Sequence, residues 1–385
     1  MMSSNPVPDH PTPDSVGGAE DSTKSSETFS TKAPATENAQ LAEELLPPIE
    51  PPNARFILQL FVIPAVIVLA VVLLWLLVTS LATRGEQDPD KIVQALRSSS
   101  AARWQQAKDL TNMLRLPKRY PELKQNAYLA RQLAQLLDEE IDAQRTDDNS
   151  IQLRFFLCPV MGQFEVDEGL EVLLKAARED VKMDVRRQAI NALAVLAHTF
   201  NTMQEPKTLE HEDLVSTFSQ LSTDKEDLIR SETAYTLGVL ALQPKTDPSF
   251  TDNLILLMDD LFSDTRYNAA LGLARQGNPV AAEVLVEMLD PEAIKISIAK
   301  VDSVALEEYL PALQSFKRNT ILRNALDGMK VLMKKNEHLD RQPLLNALKQ
   351  FVEGASSWQV AGELPKELVE YAQNIQQQYA GAPLP

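Results

Sequence analysis

Cysteine is nearly absent. The 385 residues carry one, Cys158, which excludes an intrachain disulfide. Its setting, FFLCPV, points to a small buried hydrophobe rather than a reactive thiol. Histidine is scarce too: His10, His198, His211 and His338 include no pair at metal-ligand spacing, with each other or with Cys158. Glycine is thin, at 12 residues, and neither a Gly-rich phosphate loop nor a G-x-S-x-G elbow occurs. Strand-like runs are nearly absent from residues 91–380. Basic charge is in deficit, with 37 Lys and Arg against 54 Asp and Glu and a net charge of −17. By net charge this is no polyanion-binding surface, and nucleic acid is not expected as a partner. No metal, no cofactor and no catalytic residue is expected.

What the chain does have is a long apolar run. Residues 61–78 read FVIPAVIVLAVVLLWLLV, and 14 of these 18 are Leu, Ile, Val or Phe. The run extends from Phe56 to Ala82, interrupted only by Gln59, Thr79 and Ser80. As helix, its 27 residues measure about 40 Å, enough to cross a hydrocarbon core of about 30 Å with some tilt. It is apolar all round, whereas a soluble core helix keeps a polar stripe. Fifty-odd polar residues precede it, so it does not read as a cleaved signal peptide. The prediction is one transmembrane helix over residues 55–82. It shows no small-xxx-small seam for pairing with a second helix.

Residues 1–54 hold nine of the 24 prolines and carry a net charge near −6 together with the run that follows. They read as a disordered, acidic, Pro/Ser/Thr-rich tail, a solvated spacer rather than a docking peptide. Residues 83–90, TRGEQDPD, read as a short polar linker. Flanking Lys and Arg fix the orientation. Only Arg55 lies close on the N-terminal side, while Arg84, Lys91, Arg97 and Arg103 lie on the other. The N-terminus is therefore expected outside and residues 91–380 in the cytoplasm.

Residues 91–380 alternate short amphipathic helices with polar breaks. Three stretches repeat one pattern: VRRQAINALA (185–194), IRSETAYTLG (229–238) and TRYNAALGLA (265–274). Aligned, they place Arg186, Arg230 and Arg266 second. Ala189, Thr233 and Ala269 come fifth, Leu193, Leu237 and Leu273 ninth, and Ala194, Gly238 and Ala274 tenth. Weaker copies occupy 102–111 and 153–162, with Arg103 and Arg154 second. Beyond about residue 290 the regularity fades: 292–303 reads as an irregular insertion and 322–333 as a degenerate last copy. Each unit alone leaves an apolar face uncovered, so only stacking closes the core.

With Asp184 and Asp264 opening an Asp-x-Arg signature, this pattern resembles HEAT repeats, strongly in three units and faintly in others over roughly 88–335. Asp227 falls one position early and departs from it. The resemblance implies an all-α fold, an α-solenoid of stacked helix pairs that serves as a protein-binding scaffold. It also implies that Asp184, Arg186, Arg230, Asp264 and Arg266 form a structural ladder of inter-repeat hydrogen bonds rather than a ligand site. The whole arrangement further resembles uncharacterised single-span HEAT-repeat membrane proteins of planctomycete-type bacteria.

The expected function is a membrane-anchored, non-catalytic scaffold whose partner is a protein or peptide, with the bilayer engaged through residues 55–82. The alternative is an enzyme that uses the inner groove of the solenoid with a metal or pigment. Only His211-Glu212 resembles the several His-Glu pairs of iron-binding HEAT enzymes, and nothing identifies a tetrapyrrole site. The adjacent acids Asp259-Asp260 and Glu307-Glu308 read as solvated faces. His198 reads as the end of a repeat helix. Trp104, Tyr120, Tyr235 and Trp358 are candidate binding anchors, with inter-repeat packing the expected role for Trp104 and Tyr235.

Overall fold

The computed structural model describes residues 55, 58–86, 89–98, 100, 102–116, 121–299 and 309–380. The acidic tail, residues 87–88, Tyr120 and the Glu307-Glu308 pair lie outside them. The chain divides into two compact units, Met1–Val71 and Val72–Pro385. Described residues of the first are a π-helical turn, Leu58–Val62, and the start of helix α1, Ile63–Glu86, which runs on into the second. Leu58–Thr79 is one helix stretch long and apolar enough to cross a membrane, and none of it is buried inside the protein. Pro64 stands just after the π-helical turn, where its missing N–H removes one backbone bond from the continuous helix. The expected linker is largely helical: α1 continues to Glu86 and α2 starts at Pro89. A helix already nucleated extends into polar residues at little cost.

The second unit is helical throughout, with no strand among its described residues. After α2 (Pro89–Arg97) come α3 (Arg103–Leu114), the single turn α4 (Pro121–Lys124), α5 (Ala127–Asp142) and α6 (Asp148–Gly162). Next are α7 (Leu170–Glu179), α8 (Met183–Thr202), α9 (Leu214–Leu221), α10 (Asp227–Leu240), α11 (Ser249–Leu257) and α12 (Ser263–Gln276). The remainder are α13 (Ala282–Glu287), α14 (Pro291–Ala299), α15 (Leu310–Lys335), α16 (Gln342–Gly354) and α17 (Lys366–Ala380). Local chemistry sets several ends. Asn126 and Asp147 cap α5 and α6 by accepting from the N–H groups of Leu129 and Ser150. Gly277, at φ 81°, closes α12 in the left-handed conformation that glycine tolerates. Pro311 and Pro343 occupy the first turns of α15 and α16.

Helices pack in pairs: α2 on α3, α5 on α6, α7 on α8, α9 on α10, α11 on α12, α13 on α15 and α16 on α17. First members also touch their counterparts in the next pair, along α2–α5–α7–α9–α11 and again at α13–α16. Second members make an unbroken row, α3–α6–α8–α10–α12–α15–α17. The repeat positions explain that row. Ala189, Leu193, Thr233, Leu237, Ala269 and Leu273 are all fully buried. A Cβ on Gly238 would stand 2.9 Å from the Gly272 Cα, and one on Gly162 would stand 2.7 Å from the Ala192 carbonyl oxygen. Backbone thus meets backbone where α10 crosses α12 and α6 crosses α8, which only glycine permits.

Two expectations past residue 290 change. The stretch read as irregular begins with a regular amphipathic helix, α14, which buries Ile294 and Ile298 one turn apart; the rest of it lies outside the described residues. In the proposed last copy, Arg323 is exposed; it pairs with Asp327 on its own helix and lies over the Tyr371 ring of α17 at 5.0 Å. The buried arginine of α15 is Arg318.

Candidate functional site

The repeat arginines stand at the starts of second-row helices, and each reaches forward to the next pair. Arg154 on α6 donates from Nε to Asp180 Oδ2 at 2.6 Å, with both side chains only 1% exposed. Arg186 on α8 pairs with Asp224 and donates from Nε to the Ala177 carbonyl at 2.9 Å. Arg230 on α10 forks onto Asp260, with Nε to Oδ2 at 2.5 Å and Nη2 to Oδ1 at 3.0 Å. Its Nη1 donates to the Asp224 carbonyl at 2.8 Å. Arg266 on α12 pairs with Glu287, and its Nη1 reaches the Asp260 carbonyl at 2.7 Å.

Arg103 on α3 likewise reaches Glu140 on α5 at 2.9 Å, so the acids of this ladder are Glu140, Asp180, Asp224, Asp260 and Glu287. Asp184 does not join it: 69% exposed, it faces only Arg187 on its own helix, at 3.9 Å. Asp264 accepts instead from Lys317 Nζ (2.9 Å) and Ser297 Oγ (3.2 Å), which ties α12 to α15 and α14. The three arginines stand in inter-pair bridges. Asp260, read as a solvated face, is a buried ladder acid because its side chain turns under Arg230.

Each turn aspartate does a second job. Asp180, Asp224 and Asp260 accept through Oδ1 from the N–H two residues on, Lys182, Glu226 and Phe262, at 2.8–3.0 Å. This carboxylate starts the following helix and receives the arginine at once. Burial pushes the Asp224 and Asp260 carboxyls up, but Arg186 and Arg230 and those N–H groups outweigh it and hold both below the ordinary value of 3.8. A sequence signal existed for these acids. An aspartate stands six residues before each arginine, as Asp180 before Arg186, Asp224 before Arg230 and Asp260 before Arg266.

The first row has its own bridges. Lys175 on α7 donates to Asp138 (2.5 Å) and Asp142 (2.6 Å) on α5, and Arg178 donates to Thr217 Oγ1 on α9 at 2.7 Å. A cavity of about 450 Å³ beside α5 and α7 is lined by Asp138, Lys175 and Arg178, with Arg131, Glu168 and His211. Among the described residues no three His, Cys, Asp or Glu side chains converge as a metal site. His211 Nδ1 accepts from the Asp213 N–H at 3.1 Å, and α8 runs four residues past the exposed His198. Cys158 is buried, and desolvation pushes its thiol far above the ordinary range.

The aromatics divide. Trp104 stacks on Phe156 across α3 and α6, at 5.3 Å between centroids, and so packs between pairs. Tyr235, expected to pack likewise, is exposed on α10. Trp358 is buried edge-to-face against Phe351. Comparison with protein-family models and with curated proteins finds no match to this chain.

Proposed function

We propose that this chain is a membrane-anchored, non-catalytic scaffold in which a HEAT-like α-solenoid collects a protein partner at the bilayer surface. The observation that supports it most is the unbroken second row, α3 to α17, bridged from pair to pair by arginines. Gln105, Asn191, His198 and Tyr235 on that row are exposed, so its side chains are available to a second molecule. Repetition gives an extended surface, and surfaces of that kind recognise chains better than small substrates. The apolar helix Leu58–Thr79 would anchor the array and raise the partner's local concentration. Arg84, Lys91, Arg97 and Arg103 favour the cytoplasmic side for the repeats.

The test uses the full chain in lipid nanodiscs. Metal analysis and absorbance should find no stoichiometric metal or chromophore. Proximity labelling from the C-terminus, with protease access from each side, should mark cytoplasmic proteins. A stoichiometric cofactor or pigment would overturn the scaffold reading. C-terminal labelling on the outer face would reverse the orientation.

A further inference from the structure

One acid at a ladder position has no arginine. Asp224 and Asp260 each lie three residues beyond the end of a first-row helix, after Leu221 and Leu257. Asp290 lies three residues beyond Glu287, the end of α13, and caps α14 directly, accepting from the Ala293 N–H three residues on at 2.9 Å, where Asp224 and Asp260 accept from the N–H two residues on. The arginine due to reach it, Arg266, stops at Glu287, with Nε to Oε2 at 3.3 Å. Asp290 is therefore exposed and in no ion pair among the described residues, whereas the Asp180 and Asp260 side chains are 1% and 7% exposed in theirs.

Asp290 forms one lip of a groove of about 370 Å³ between α13 and α16. Leu289, Ala347, Phe351, Trp358 and Val360 line it. Phe351 and Trp358 meet edge-to-face at 5.7 Å, and the Trp358 indole N–H is satisfied by the Val360 carbonyl at 3.1 Å. Leu289, Ala347, Phe351 and Trp358 are buried in its walls, and Gln350, Ser357 and Gln359 add polar groups, so the opening is part apolar and part polar. The charged lining residues are both acids, Asp290 and Glu292. Lys295 stands 3.5 Å from Glu292, but the two side chains are 67% and 77% exposed, so solvent screens the pair.

The far wall is fixed in advance. Arg318, buried on α15, donates from Nη1 to the carbonyls of Val360 (2.8 Å), Ala361 (2.8 Å) and Gly362 (2.6 Å), and from Nη2 to that of Glu363 (3.0 Å). Ala361 and Gly362 hold left-handed backbone, at φ 53° and 90°, under this guanidinium. A groove so braced needs little ordering to bind.

We infer that this groove takes a segment of a partner protein that presents an arginine beside a bulky apolar side chain. The guanidinium would meet Asp290 as Arg230 meets Asp260, and the apolar group would enter the groove against the wall that Phe351 and Trp358 form. Lysine offers a point charge without the fork and fits less well. The inference rests on the scaffold reading and names the chemistry of its partner.

The probe is a displayed library of random 12-residue peptides, selected on the full chain in nanodiscs. Enriched peptides should pair Arg with Leu, Ile, Phe or Trp. Asp290→Asn, which keeps an oxygen for the Ala293 N–H, should weaken them at least about tenfold. Asp290→Lys should reject them and accept their Arg→Glu counterparts, a swap that misfolding cannot produce. Enriched peptides indifferent to both variants would overturn the groove and leave the scaffold reading standing. A selection that enriches nothing would sink both.

Discussion

The buried Arg154–Asp180 pair offers a quantitative test of the ladder, and the molecule supplies its own reporter. Cys158, the single cysteine, sits one helical turn from Arg154 and is fully buried. A thiol reagent reaches it only when α6 opens locally, so the labelling rate reads local stability. Arg154→Met removes the partner of a carboxylate that is 1% exposed. Asp180 keeps only the Lys182 N–H, at 2.8 Å, and the orphaned charge should cost about 3–5 kcal/mol. At about 1.4 kcal/mol per decade, labelling should speed up about 10²–10⁴-fold. In the double variant Arg154→Met/Asp180→Asn the charge is gone, while the asparagine oxygen can still take the Lys182 N–H. Replacing both ions of a buried pair is often nearly neutral, so the double variant should label within about tenfold of the parent. Labelling would be followed by mass spectrometry on the full chain in nanodiscs. If Arg154→Met labels at the parental rate, the pair holds nothing together. If the double variant labels as fast as the single, the cost lies in lost packing and in the bonds Arg154 gives the Arg145 carbonyl and Ser150, not in the Asp180 charge.

Other consequences are equally direct. Gly272→Ala puts a Cβ 2.8 Å from the Gly238 Cα and should cost about 1–3 kcal/mol in thermal unfolding followed by circular dichroism, whereas Gly354→Ala meets nothing within 4 Å and should be silent. Asp224 and Asp260 have folded pKa values held below 3.8, so their contribution is complete above that pH and is lost as pH falls through the folded values. Acid unfolding should therefore start below about pH 4, and Asp260→Asn should flatten that limb; an unchanged limb would show that the ladder carboxylates are not depressed. Arginine at Leu69 and Leu73 together should cost about 2.5–3.5 kcal/mol each for insertion and release the chain from carbonate-washed membranes, which should retain the parent.

Periodicity made the helices and their small-residue faces legible before any coordinates, because burial at a 3.6-residue spacing writes itself into the residue pattern. Leu193, Leu237 and Leu273 follow it into the core, and Gly238 meets the next helix backbone to backbone. The same rule misreads residues off the helical face. Tyr235 stands seventh in its copy, as the exposed Asn191 does, and points outward, and α14 hides in a stretch too short for its period to show. The ladder acids were harder still, since they stand in turns, where helical spacing says nothing. An Asp-x-Arg reading follows positions inside the helix, and so it selects Asp184, which is solvated, and loses the unit of Asp227.

The turn register explains both that lapse and where the ladder changes. What recurs at constant distance is the aspartate six residues before the arginine, one group that starts its own helix and accepts from the pair behind. At Asp290 the sixth residue is Ile296, which is exposed, so the motif ends there. One pair later Arg318 is again buried, but backbone carbonyls replace the carboxylate, and burial alone lowers its pKa. A guanidinium without an acid behind an acid without a guanidinium means that the bridging chemistry is interrupted at this one place. The arginine proposed for the partner segment would restore it.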